Sequence, residues 1–194
     1  MENFIRHYDG AIPSEFCADI IARFEADPRR FPGMVSGNQG AELIEQKRTT
    51  ELMLVTDEWQ DVVQALLKSL FEHFPRYQQA VKFMAGSEHK DLITESFRLK
   101  KYETGDGFDW HIDCSSKQTF RRVLAVQWYF NTVEEGGHTE FEDQGTSIAP
   151  VARGAWLSFR CPGCTAIAVP LWSAVRNTSA PILLRRPSPE RSAA

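Results

Sequence analysis

The chain has 194 residues, 42% of them hydrophobic and 25% charged, with a formal net charge of -4 and a sequence pI near 5.8. That length suits one compact domain with a sizeable core, and the mildly acidic balance offers no electrostatic footprint for nucleic acid or an anionic membrane surface. No apolar run approaches the ~20 residues needed to span a bilayer.

Residues 1–10 have neither the basic start nor the apolar centre of a signal peptide, so a cytoplasmic protein is expected. Cys17, Cys114, Cys161 and Cys164 are too few and too unevenly spaced for a disulfide framework, and reduced thiols are expected. Pro13-Ser14-Glu15-Phe16 opens a helical pattern with Phe16, Ile20, Ile21 and Phe24 on one face, Ser14 as its cap and an end near Pro28. Gly33 to Gly40 reads as a loop, and Glu42 to Val55 stays open between strand and irregular structure. From Asp57, residues Trp59, Val62, Val63, Leu66, Leu67, Leu70, Phe71 and Phe74 recur at helical spacing until Pro75 stops the run. This second helix is expected to pack on a sheet.

From Glu95 the texture changes to short alternating, aromatic and β-branched runs. Strands are expected at Ser96 to Tyr102, Trp110 to Asp113, Arg122 to Asn131, His138 to Phe141 and Ala155 to Phe159, with turns at Glu134-Glu135-Gly136-Gly137 and at Glu142 to Thr146. Helices first, at about 13–75, then strands without helices between them, at about 95–159, predict an α+β, mainly β fold: an antiparallel jelly roll buttressed by helices on one side. Residues 1–159 form the domain on this reading, and 160–194 an atypical tail. After Phe159 come five arginines, no lysine and one acidic residue, Glu190, against 25 of the 26 acidic residues before it. Such a break marks a linker, a disordered tail or a change in what is encoded.

Alternate residues of a strand share a face, so His111 and Asp113 project together. An imidazole and a carboxylate on one face are two of the three ligands of a 2-His-1-carboxylate site for non-haem Fe(II). A strand with a merely polar face would carry the same pair.

The neighbourhood decides between them. Tyr102 to Asp113 resembles the Y-x-x-G-x-x-F-x-x-H-x-D block of the prolyl 4-hydroxylase-like 2-oxoglutarate dioxygenases. Arg122 to Asn131 is similar to that family's strand ending in L-N, and Glu135-Gly136-Gly137-His138-Thr139-Glu140-Phe141 to its G-G-x-T-x-F turn and strand. Ile148-Ala149-Pro150, Gly154 and Leu157-Ser158-Phe159 resemble the I-x-P-x-x-G-x-x-x-x-F that follows, so the likeness spans roughly residues 96–159 in order.

The resemblance implies a double-stranded β-helix with N-terminal supporting helices, and Fe(II) held by His111 and Asp113. It also implies 2-oxoglutarate as co-substrate contacted by Tyr102, O2 as oxidant and ascorbate as a possible reductant. Such enzymes couple decarboxylation of 2-oxoglutarate, to succinate and CO2, to hydroxylation of an unactivated C–H bond in a protein, peptide or small molecule, the protein supplying ligands, orientation and a dry pocket. Substrate choice lies in loops such as Gly33 to Gly40 and Ser87 to Leu92, which the motifs do not align. The sequence is silent on oligomeric state.

One departure matters. The family places a second histidine ligand and a basic residue for 2-oxoglutarate after the strand ending at Phe159, and here no histidine follows His138. Read one base out of register, the codons of Pro162/Gly163 permit tryptophan, those of Cys164/Thr165 and Ala166/Ile167 histidine, and those of Arg176/Asn177 lysine, at the family's spacings. The tail therefore reads as a shifted frame, and the iron site as incomplete.

Two rivals follow. One is a non-catalytic jelly-roll binding protein that keeps the pocket. The other is a cupin-like metalloprotein with His138 as third ligand. Cys161-Pro162-Gly163-Cys164 lacks the second ligand pair a zinc site needs. His7, His73 and His89 read as surface or internally satisfied histidines, and Cys114 as a small packed residue.

Overall fold

The computed structural model describes residues 4–37, 40–81, 84, 92–114, 116–117, 119–152, 155–159, 167–169 and 177–185. Helix α1 (Ser14–Ala26) buries Cys17, Ile20 and Phe24 on one face. Pro13, not Ser14, is its N-cap, because proline's fixed φ suits the entry; the Ser14 hydroxyl is taken by Glu15 Oε2 at 3.2 Å. At the other end Asp27 accepts hydrogen bonds from Trp59 Nε1 at 3.0 Å and from the Arg29 backbone amide and Nε at 2.9 Å, which fixes where the second helix begins.

After a 3-10 turn (Asp57–Trp59), α2 (Gln60–Ala80) runs straight through Pro75, where the sequence pattern predicts a stop. The proline removes the donor for the Phe71 carbonyl, but Phe71 and Glu72 are exposed, so water satisfies that group. Phe71 accordingly faces solvent, while Val62, Leu66, Leu70 and Tyr77 form the inward stripe. No helix among the described residues is long and apolar enough to cross a membrane.

Strands β1 (Ile5–Tyr8), β2 (Phe31–Pro32), β6 (Thr50–Met53), β7 (Ile93–Thr94), β8 (Arg98–Tyr102), β10 (Arg122–Tyr129), β13 (Ala155–Phe159) and β15 (Asn177–Arg185) build an eight-stranded antiparallel sheet. Its order is β1-β13-β10-β15-β8-β6-β2, with β7 also on β15. A second, five-stranded sheet, in the order β12-β11-β14-β9-β5, uses β5 (Lys47–Arg48), β9 (Gly107–His111), β11 (Thr139–Phe141), β12 (Thr146–Ile148) and β14 (Ile167–Val169). The segment expected as a loop at Gly33 to Gly40 holds most of a hairpin, β3 (Val35–Gly37) with β4 (Gly40–Glu42). Gly136 and Gly137, in the expected turn, both have positive φ, 76° and 67°, which glycine adopts without strain.

The large sheet separates two environments. Leu52, Leu99, Leu124, Val126 and Trp128 face the helices and join Ile20, Phe24, Trp59 and Leu66 in one core. Each such buried side chain is worth ~1.5–3 kcal/mol. Ala125 and Tyr129 face the other way, packing with Phe141, and the Tyr129 hydroxyl meets Thr139 Oγ1 at 2.6 Å across to the small sheet. The compositionally odd tail takes inner positions in both sheets: β14 lies between β11 and β9, and β15 between β10 and β8. Pro181 of β15 falls between the stretch paired with β8 (Asn177 to Ser179) and that paired with β7 (Leu184, Arg185), where a missing amide proton is tolerated.

Candidate active site between the sheets

His111 is the last residue of β9, and Asp113 lies just beyond it in a turn rather than on the strand. They converge all the same, with His111 Nε2 at 3.4 Å from Asp113 Oδ1 and both side chains about four-fifths buried (23% and 19% exposed). A bulge in the pairing of β9 with β14, where Phe108 to His111 opposes Ile167 to Val169, puts Phe108 and His111 on the same side. Their rings stack, centroids 3.6 Å apart and planes within 14°. Arg122 of β10 holds the turn, donating from Nη1 to the Asp113 carbonyl at 3.2 Å while Nη2 and Nε pair with Glu95 at 2.8 and 3.0 Å.

The imidazole is oriented as a ligand. Its Nδ1 lies 2.9 Å from the Asp109 carbonyl, which can only accept, so Nδ1 donates there and Nε2 is the ring nitrogen turned toward Asp113. Ligand atoms each ~2.1 Å from one metal ion and roughly 90–110° apart stand ~3.0–3.4 Å from each other. The pair fits two adjacent positions on Fe(II). Among the described residues no third His, Cys, Asp or Glu joins them, so His138 does not complete the set.

Tyr102, at the end of β8, is 3% exposed, and burial, reinforced by the negative charges of Glu51 and Asp113, pushes its phenol up. Beside it lies a cluster that sequence reasoning missed. Arg98, Lys100 and Tyr102 alternate on one face of β8, and Glu51 of β6 stands directly opposite Lys100. Glu51 is fully buried and takes Lys47 Nζ at 2.7 Å, Arg98 Nη1 at 2.8 Å and the Thr49 hydroxyl at 3.1 Å. Burial alone would raise the Glu51 carboxyl, but Lys100, Lys47 and Arg98 outweigh it and hold it low. Burial pushes Lys47 down against the pull of Glu51, and takes Lys100 down to about 8. Both ammonium groups lie near the Phe108 ring, 5.2 and 5.8 Å from its centroid. The signal in the sequence is a strand, Arg98-Leu99-Lys100-Lys101-Tyr102, with charge on both faces. Lys101 turns to the helix side, to Glu25 and Glu103, and Lys100 to the opposite face.

The remaining expectations sort simply. Cys114 is buried and free. His73 is buried with Nδ1 on the Ser69 carbonyl at 2.7 Å, and His7 pairs with Asp9 at 3.6 Å near the surface. His89, Cys161, Cys164 and the loop Ser87 to Leu92, apart from Leu92, lie outside the described residues.

Antiparallel sheets packed on two helices, with a His-Asp pair and a buried tyrosine between them, have the fold of solved prolyl hydroxylases and 2-oxoglutarate-Fe(II) oxygenases. In sequence, no family model and no curated protein matches the chain. In structure, it is similar to a viral collagen prolyl hydroxylase from Paramecium Bursaria Chlorella virus-1 in complex with 2-oxoglutarate (TM-score 0.70, 14% identity, 95% of this chain and 97% of that one). It is also similar to a Pseudomonas putida prolyl-4-hydroxylase (0.68, 16%, 96% and 94%). A third is a prolyl hydroxylase in complex with a hypoxia inducible factor peptide fragment from Trichoplax adhaerens (0.72, 12%, 95% and 84%).

Proposed function

We propose that the protein is an Fe(II)- and 2-oxoglutarate-dependent dioxygenase of the prolyl-hydroxylase type, acting on a protein, peptide or amino-acid side chain, with an iron site reduced to two protein ligands. The observation that carries this is the His111 Nε2 to Asp113 Oδ1 approach of 3.4 Å with Nδ1 committed to a carbonyl. The two sheets are read as the halves of a double-stranded β-helix. Iron, when bound, would supply the oxidative chemistry. His111 and Asp113 would hold it, the Asp109 carbonyl and Arg122 would keep those ligands aligned, and the sheets around Tyr102 would exclude water. Ascorbate belongs to this reading as a reductant for idle iron. The bound peptide of the Trichoplax neighbour supports a peptide or protein substrate.

With one strong ligand missing, weak iron binding and slow turnover are expected. The test is Fe(II) affinity by anaerobic titration, together with succinate release from 2-oxoglutarate in the presence of ascorbate. Binding that His111→Ala and Asp113→Ala each abolish supports the site, and iron bound equally well by both variants refutes it. Turnover matching that of a complete three-ligand enzyme would remove the claim of reduced competence.

A second reading, a binding protein that keeps the pocket without the chemistry, is favoured by one observation. Residues 167–169 and 177–185 pair into both sheets although the tail carries no histidine. Iron binding that is undetectable in the intact chain selects it.

A further inference from the structure

Strand β9 presents two faces. Phe108 and His111 lie on the inner one; the bulge that brings them together sets Asp109 and Trp110 on the outer one, opposite a single residue of β14, Ala168. The registers carry this outer row across the whole five-stranded sheet. Ser147 of β12 pairs with Glu140 of β11, Glu140 pairs with Ala168, and the Asp109 amide donates to the Gln46 carbonyl in the turn before β5. The residues that alternate with the row face the interior: Thr139 and Phe141 are buried, and so is Lys47 opposite Phe108. Both helices pack on the large sheet, and on the small sheet Gln46, Asp109, Trp110 and Ser147 are exposed.

The chemistry of the row selects a cation. Trp110 is 45% exposed, and the negative face of an indole attracts an ammonium or, better, a guanidinium. The charges around it have the same sign. Asp109 adjoins the indole, Glu140 lies two strands away, and Glu45 is exposed in the turn beside Gln46. Among the described residues Glu45 and Glu140 have no ion pair or hydrogen bond, and the one cation that the registers put on this side, Arg48, lies opposite Gly107 at the far end of β9 and donates to the Gly105 carbonyl. Spacing sets the size of the occupant. Neighbouring strands are ~4.8 Å apart, so Trp110 and Glu140 stand roughly 10 Å from each other, and a metal ion or a single amino acid does not reach both. The row is ~19 Å wide, the reach of about six extended residues, and such a segment turns alternate side chains toward the sheet every ~7 Å.

We infer that the outer face of the five-stranded sheet, centred on Trp110 and flanked by Glu140 and Glu45, docks a basic extended segment of a polypeptide partner. The face lies on the back of the strand that carries His111 and uses no iron ligand, so it stands or falls independently of the proposed function.

Fluorescence anisotropy of a labelled peptide of about six residues, alternating arginine and alanine, titrated with the metal-free chain, tests it. The same peptide with glutamate for arginine, and spermidine as competitor, are the controls. The arginine peptide should bind saturably, more weakly as salt rises, and the glutamate peptide should not bind. Trp110→Ala should weaken binding about tenfold, Trp110→Phe should recover part of that loss, and Glu140→Gln should weaken binding about threefold. Glu15→Gln, at an exposed position on α1, should leave it unchanged, which separates this face from the overall charge of -4. Circular dichroism and melting temperature check that each variant is folded, and changes at two positions guard against one that is not. No saturable binding to the wild type, undiminished affinity in a folded Trp110→Ala, equal losses in Glu15→Gln and Glu140→Gln, or spermidine competing as well as unlabelled peptide would each overturn the site. So would a concentration-dependent mass in sedimentation that Trp110→Ala abolishes, since the face would then be a contact between copies. Iron titration of the same samples keeps the two ideas apart. Peptide binding without iron binding keeps the docking face and removes the oxygenase, and iron binding without peptide binding does the reverse.

Discussion

Replacing Lys100 by methionine should stabilise the ligand-free protein, and by an amount that depends on pH. Burial takes the Lys100 ammonium from an ordinary 10.5 to about 8, which corresponds to a preference for the neutral form of about 3 kcal/mol. The sign follows from linkage. Below pH 8 the lysine is protonated in both the folded and the unfolded chain, so the folded state bears the whole cost of the buried charge. Between pH 8 and 10.5 the unfolded chain binds more protons than the folded one, and stability rises with pH until both forms are neutral. Lys100→Met removes the cost where it is largest, and Glu51 keeps Lys47, Arg98 and Thr49 as partners. The variant should therefore exceed the wild type by up to about 3 kcal/mol at pH 7, or roughly 6–12 °C in Tm for a chain of this size, and the advantage should shrink toward pH 10. Urea denaturation of both proteins at pH 7, 8, 9 and 10 measures the difference. A variant less stable than the wild type at pH 7, or an advantage that does not fall with pH, would refute the claim that burial of Lys100 costs more than its pairing with Glu51 and Asp113 returns.

Glu51→Gln should act in the opposite sense. It leaves Lys47 and Arg98 without their counter-charge at a fully buried position and should cost about 3–5 kcal/mol in urea denaturation. Arg29 holds the Asp27 carboxyl well below the ordinary range, with Trp59 assisting, so Asp27 contributes stability that is complete above about pH 4 and is lost as pH falls further. A urea midpoint that drops between pH 5 and 3 in the wild type, and drops less in Asp27→Asn, checks it. Truncation after Phe159 should leave β10 and β8 with open edges where β15 lay, giving a chain that aggregates or fails to show a cooperative melt; a soluble, cooperatively folding truncation would show that the tail is dispensable.

The sequence made the His-Asp pair, the inward stripe of α2 and most of the later strands legible because each repeats a local pattern: Ala155 to Phe159 is β13 to the residue, and Trp59, Val62, Leu66 and Leu70 are buried as their spacing requires. What it hid depends on distant partners. The short strands β2, β5 and β6 carry too few residues for a period, and β6 becomes a strand because β8 lies beside it. Pro75 misled because a helix-breaking residue is tolerated where the freed carbonyl reaches water. His111 and Asp113 do meet, but through a bulge in β9 and a turn pinned by Arg122, not through strand alternation. Lys47, Glu51 and Lys100 belong to three different strands, and only the packing of two sheets brings them around Phe108.

That division also explains how a tail so unlike the rest can keep its place without restoring the site. A strand is held chiefly by main-chain hydrogen bonds, which any residue but proline can make, so Asn177 to Arg185 can pair with β10 from Ser179↔Tyr129 to Arg185↔Arg122 whatever its side chains are. Even Pro181 is absorbed, since it falls where no described residue pairs with β15 on its far side. A metal ligand has no such tolerance: an imidazole absent from the last strands cannot be replaced by backbone, and nothing described beside His111 and Asp113 substitutes for it. The fold should therefore outlast the loss of a tail ligand, and iron binding should suffer most. Measured on one preparation, a cooperative urea transition should accompany Fe(II) affinity well below that of a three-ligand site.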